Sequence, residues 1–305
     1  MTNADPVEND APLYDTHAHF FSNDTQRYPL NTSNAREGEG ELRRRISSDP
    51  ATPERNFELW DASGVTGGCG VQYNTVYKSD NSYVLDVAAR HPERIAPVVM
   101  LDATAPDTPT TLDTFVRERG VVGLRLYGRV EADGSLPWLD SPAALRTWDV
   151  ADRHGLAMVL MFVPAPASAV ALPAIAALAR RFPVATLSLD HFAWAGSDPA
   201  QLLPPSLLQL REHRNVFYKL TTINFQRLER IGIDSAQFVR RLADVFGANR
   251  MMWGSDVGNT LEDYASMARR ARASTALLTA VERQLFLHET GARLFARRAG
   301  VRHTP

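Results

Sequence analysis

The chain has 305 residues, 44% of them hydrophobic and 22% charged, with a formal net charge of −2 and a single cysteine. That balance describes an ordinary globular protein and excludes a fibrous, disordered or disulfide-stapled one. Its 33 basic residues are spread along the sequence, so nucleic acid and membrane surfaces are not expected as partners.

The first twelve residues are acidic and polar, without the apolar core of a signal peptide, and no stretch reaches the roughly 18 apolar residues of a membrane span. The expectation is a cytoplasmic protein with an extended or disordered tail over 1–12 and one domain over 13–305. A homo-oligomer is left open. From residue 13 onward short apolar runs alternate with helix-like segments. The strand candidates are 13–19, 65–72, 95–101, 121–127, 156–162, 185–191, 216–221 and 250–256. Most are near-continuous apolar runs, as in a parallel sheet covered on both faces. Cys69 lies in one of them and reads as a buried, inert thiol.

Helical segments follow nearly every run. Thr52-Pro53 opens one that stops at Gly64, and Ser141-Pro142 opens another that stops at Gly155; these are the cap and stop residues that helix ends favour. Further segments span 81–92, 172–183 and 234–247, and an amphipathic helix over 283–297 closes the chain, with His288 in a structural role. Eight such units predict a single-domain (β/α)8 TIM barrel, which typically needs about 250 residues. A doubly wound sheet would show a Gly-rich first turn, and none is present. One connection is long: residues 20–53 show little periodicity and carry Arg27, Tyr28, Arg36 and Arg43–Arg45. In a barrel this loop leaves the face where active sites sit, so a lid over an anionic substrate is expected.

Polar residues at the C-terminal ends of barrel strands reach the mouth. His17 and His19 sit at i and i+2 of the first strand and face the same side. Arg125 lies on strand four, Asp190-His191 ends strand six, Lys219 lies on strand seven and Asp256 ends strand eight. Burying three imidazoles and a carboxylate at one barrel end for packing alone would be unfavourable.

His-x-His, a later Asp-His and a late Gly-Ser-Asp, in that order, resemble the amidohydrolase superfamily. The resemblance is to the "amidohydrolase 2" group, which includes sugar-lactone and pyrone-dicarboxylate lactonases, and runs from about residue 13 to 297. It implies hydrolysis of a small lactone bearing a carboxylate or sulfonate. Asp256 would act as general base, with His17, His19 and His191 stabilising the oxyanion. Arg125 would clamp the substrate anion, with Tyr127, Ser79, Asn81, Asn259 and Lys219 lining the site, although Lys219 could instead pair with Asp190. No metal is favoured. Strand five has no ligand-type residue, and Arg125 would place a cation beside any ion. A single zinc held by His17, His19 and Asp256 is the fallback. The alternative activity is a zinc-dependent, non-oxidative decarboxylase of the same branch. Two positions depart from the lactonase pattern: Trp194 stands where an Arg is usual, and Val257-Gly258 where Trp-Pro is usual.

Overall fold

The computed structural model describes residues 11–162, 168–195 and 202–296; the tail over 1–10 and Arg297 of the closing helix lie outside them. Eight strands run in chain order: β1 (Leu13–Ala18), β2 (Val65–Val71), β3 (Ile95–Met100), β4 (Gly123–Gly128), β5 (Ala157–Phe162), β6 (Thr186–Leu189), β7 (Val216–Thr221) and β8 (Met251–Gly254). Each pairs in parallel with the next. β1 and β8 meet through a bridge between Ala18 and Val257. Asp256 N–H donates to the His17 carbonyl at 2.8 Å, and His19 N–H to the Val257 carbonyl at 3.1 Å. The result is a nearly closed (β/α)8 barrel.

The strands form because their apolar residues are covered on both faces. The outer face packs against helices through residues such as Leu124, Leu126, Leu160 and Trp253. The lumen is filled by Cys69, Val71, Val98, Val159 and Met252, with Phe295 of the closing helix packed against them. Burial pushes the Cys69 thiol well above its ordinary pKa, consistent with an inert group. The helix signals read as expected. Thr52 and Ser141 cap helices Pro53–Ala62 and Pro142–His154, and Gly155 ends the second in the left-handed region.

Two strands end sooner than their apolar runs suggest. β6 stops at Leu189, and His191, Phe192, Ala193 and Trp194 then adopt φ of 49°, 51°, 50° and 62°. A run of left-handed non-glycine residues costs roughly 1–2 kcal/mol each. It persists because its parts are tied elsewhere. Asn224 Nδ2 donates to the His191 carbonyl at 2.9 Å, Trp194 Nε1 donates to the Phe162 carbonyl at 2.7 Å, and Phe192 is fully buried. β8 stops at Gly254, and Asp256 follows with φ of 64°. Strain of this kind concentrates at functional sites.

The long connection after β1 is not a free flap. It contains a helix over Glu39–Ser48, and Phe20, Phe21, Tyr28, Leu42 and Ile46 are buried in the core. Three of its five arginines form ion pairs within the protein: Arg27 with Asp86, Arg44 with Glu41, and Arg45 with Glu37. Arg27, Arg44 and Arg45 are thus already neutralised, whereas Arg36 and Arg43, which the lid expectation also invoked, are in none of these pairs.

Candidate active site

The first strand builds the site. Asp15, His17 and His19 are all buried, and the strand register shifts between Asp15 and Ala18. Asp15 holds strand eight in place. Its carboxylate accepts from Ser255 N at 2.8 Å, Ser255 Oγ at 2.6 Å and Tyr264 Oη at 2.9 Å. Close approach of the two strands also needs Gly254, where a Cβ would lie 2.6 Å from His17 Cβ. Asp256 is thereby set against the histidines. The His17 ring lies 4.9 Å from that of His19 and 5.2 Å from that of His191.

Hydrogen bonds at His19 and His191, and the facing Asp190 carboxylate at His17, indicate which ring nitrogen carries the proton. His19 Nδ1 is 2.9 Å from the Val71 carbonyl, which can only accept, so the hydrogen is on Nδ1. His191 Nδ1 is 2.7 Å from Thr221 Oγ1, and that hydroxyl spends its own hydrogen on Asn224 Oδ1 at 3.3 Å. His17 Nδ1 faces the Asp190 carboxylate at 3.5 Å. Burial drives the His17 pKa well below its ordinary value and that of His191 down to about 4, so both are neutral near pH 7. Neutral His17 and His191 therefore present a bare Nε2, and His19 Nε2 turns to the same point.

These nitrogens meet a carboxylate. His17 Nε2 is 3.5 Å and His19 Nε2 3.4 Å from Asp256 Oδ1. Burial opposes ionisation of Asp256, and its pKa is lowered only as far as a hydrogen donor or positive charge stands at His19, His17 and His191. The other oxygen, Oδ2, is held by Asn259 Nδ2 at 2.9 Å and Thr260 Oγ1 at 2.7 Å. Oδ1 and His17 Nε2 have no hydrogen-bond partner although buried. Lone pairs facing lone pairs repel unless a cation lies among them. Donor atoms of His17, His191 and Asp256 all lie within 4.8 Å of one another. Outer nitrogens tied back and inner nitrogens converging is also the arrangement that orients metal-bound histidines. The residues therefore fit one divalent ion with three protein ligands and an open position.

That fit revises the sequence-based expectations. The gathered trio is His17, His191 and Asp256, where His17, His19 and Asp256 had been expected. A neutral imidazole with a bare Nε2 cannot donate to an oxyanion, which sets His17 and His191 against that expected role. Strand five does supply no ligand. The cation expected to repel a metal, however, is neutralised. Arg125 Nε donates to Asp190 Oδ2 at 2.9 Å, and Lys219 Nζ lies 2.9 Å from Asp190 Oδ1. Burial alone would raise the Asp190 pKa, but Lys219, His17 and Arg125 hold it well below the ordinary range. Lys219 is fully buried and stands 5.5 Å from the Phe295 ring, which matches the alternative of pairing with Asp190.

Two more expected substrate contacts turn out to be braces. Asn81 accepts from Met100 N at 2.8 Å and donates to the Met100 and Ser79 carbonyls, which uses its whole amide. Asn259 likewise spends both ends of its amide, on Asp256 and on Tyr73 Oη at 3.2 Å. Ser79 and Tyr127 do share a cavity, of about 220 Å³, with Lys78 and Trp138; His17, His19, His191 and Asp256 are not among its lining residues. The groups that sequence reasoning missed are Tyr73, Thr221, Asn224 and Thr260. Only the Thr221–Asn224 spacing, a helix-capping pattern, carries a local signal.

Residues 14–297 match the family described as Amidohydrolase. The chain belongs to the amidohydrolase family. It is 30% identical over 210 residues to the L-fucono-1,5-lactonase of Burkholderia ambifaria, spanning 66% of this chain and 70% of that one. The fold is shared with a candidate 2-pyrone-4,6-dicarboxylic acid hydrolase of Pseudomonas putida (TM-score 0.69, 22% identity, 93% and 97% of the two chains). It is also shared with a manganese- and inhibitor-bound dihydroxybenzoic acid decarboxylase of Polaromonas (TM-score 0.66, 15% identity, 93% and 96%). Among the described residues no helix is long and apolar enough to cross a membrane.

Proposed function

We propose that this amidohydrolase opens a small lactone by Asp256-assisted attack of water on the ring carbonyl. The observation that carries the reading is the asymmetry of Asp256: one oxygen is fixed by an amide and a hydroxyl, and the other is buried, ionised and open toward three imidazoles. An ionised carboxylate held in one orientation is a competent general base. Its Oδ1 takes one proton from water as the water oxygen attacks the carbonyl carbon. The same proton is then returned to the ring oxygen as the carbon–oxygen bond breaks, giving a hydroxy acid.

His17, His191 and Asp256 would hold a divalent ion, with His19 alongside. Bound there, such an ion supplies Lewis-acid polarisation of a substrate oxygen. Asp190, Val71 and Thr221 keep the three rings turned so that each Nε2 faces inward. The lactonase relative of Burkholderia ambifaria supports a sugar-type lactone. So does the charge count in the pocket, where Arg125 and Lys219 balance Asp190 and Asp256. With Arg125 engaged on Asp190, a neutral, hydroxyl-bearing lactone fits better than the anionic one first expected. Catalysis is proposed to need no other cofactor and no macromolecular partner.

The test is base consumption at constant pH over a panel of neutral sugar lactones and acidic lactones, run beside CO2 release from dihydroxybenzoates. Turnover of a neutral lactone is the expected result. CO2 release without lactone opening would replace this reading with the decarboxylase one.

A further inference from the structure

We propose that Arg45 and Tyr73 are positioning residues that orient Asp256 through a hydrogen-bonded relay; the proposal rests on the reading of Asp256 as the working carboxylate. Every donor in the relay points the same way. Arg45 Nη2 donates to Tyr73 Oη at 3.4 Å. Tyr73 Oη donates to Asn259 Oδ1 at 3.2 Å. Asn259 Nδ2 donates to Asp256 Oδ2 at 2.9 Å. Three separate loops are joined by it, those after β1, β2 and β8.

Each link is independently anchored. Arg45 Nη1 donates to the Gly258 carbonyl at 2.6 Å, and Nη2 also to Glu37 Oε1 at 2.9 Å. Gly258 has φ of 89°, and a Cβ there would meet His19 Cβ and the His19 carbonyl at 3.1 Å, so the loop lies directly on the first strand. The Tyr73 ring stacks on His19 with centroids 4.5 Å apart and is buried. The connection after β1 thus has a role other than covering the mouth. It delivers one guanidinium that fixes the loop bearing the reactive carboxylate. The relay also decides which oxygen works: Oδ2 is occupied, and Oδ1 is left for chemistry.

Tyr73→Phe keeps the stacked ring and deletes only the link. Partners that orient a site's ligands typically cost 10–100-fold in activity or metal affinity when removed. Tyr73→Phe and Arg45→Met should each lower kcat about tenfold, with KM within twofold and melting temperature within about 2 °C of the parent. In an Asn259→Ala background, Tyr73→Phe should change kcat less than twofold, because residues in one chain of bonds are not additive. The same change should multiply with Thr260→Val, which removes an independent bond to Oδ2. An unchanged kcat in Tyr73→Phe, or losses that multiply with Asn259→Ala, would overturn the relay. If the parent protein opens no lactone, the function fails and the relay is read from crystal structures of the parent and Tyr73→Phe. Release of Asn259 from Asp256 Oδ2 in the variant supports it; an unmoved 2.9 Å bond contradicts it.

Discussion

Asp190 and Asp256 are both buried carboxylates at the same end of one barrel, and they are put to opposite uses. Asp190 is met by two permanent cations, Lys219 and Arg125, and His17 fills the remaining approach. Asp256 meets no permanent cation among its bonded partners; it is held by an amide and a hydroxyl and faces imidazole rings. A carboxylate neutralised on all sides is part of the scaffold. One restrained on a single oxygen keeps its second oxygen reactive. The difference teaches that burial and a depressed pKa do not identify a catalytic acid or base; an oxygen left without a permanent cation beside it does.

Substitutions should separate the two most widely. Asp256→Asn keeps the shape but cannot accept a proton, so kcat should fall by roughly 10²–10⁴ with the fold intact, as lactone turnover and a melting curve would show. Retention of a tenth of the activity would remove Asp256 from that role. Asp190→Asn leaves Lys219 and Arg125 buried without their counter-charge. Breaking a buried pair this way costs about 3–5 kcal/mol, so denaturant unfolding should show a loss of that size before any activity is considered.

Acid should then sharpen the contrast in metal-stripped protein. Burial holds His191 at about 4, below the roughly 6.5 of an exposed histidine. The unfolded chain takes up its proton first as pH falls, so stability drops between about 6.5 and about 4, by about 3 kcal/mol from this group. Asp190, with a depressed pKa, stabilises above about pH 4 and loses that contribution only below it. A urea midpoint that stayed flat between pH 6.5 and 4 would contradict the neutral, buried His191. The smallest effect concerns specificity. Arg125→Met should change KM for neutral and acidic lactones by similar factors, because its charge serves Asp190; a selective loss for acidic lactones would restore it to the substrate.

Much of the architecture was legible because it rests on local patterns. Apolar runs such as "LAMVLMF" and helix starts such as Thr52-Pro53 and Ser141-Pro142 depend on nearby residues alone, and they appear where expected. The polar strand ends were legible for the same reason: His17, His19, His191 and Asp256 are the residues that interrupt apolar runs at one barrel end. Their chemistry was not legible. Each ring's proton is placed by a group distant in sequence: the Val71 carbonyl, the Asp190 carboxylate and the Thr221 hydroxyl. The neutralisation of Arg125 needs Asp190, 65 positions away. The left-handed turn at His191–Trp194 breaks local preference and is held only by tertiary bonds. Asn81 and Asn259 resemble lining residues in sequence, and only the partners of their amides show them to brace neighbouring groups.

The most direct measurement is the zinc content of the purified protein after dialysis against zinc, with lactone turnover followed through chelation and reloading, for the parent and for Asp256→Asn and Asp190→Asn. The expected result is one zinc per parent chain, activity that disappears on chelation and returns with one equivalent of zinc, and weaker retention in Asp256→Asn than in folded Asp190→Asn. Full lactone turnover by zinc-stripped parent protein would contradict the convergence of the His17 and His191 imidazoles and one open carboxylate oxygen on a cation.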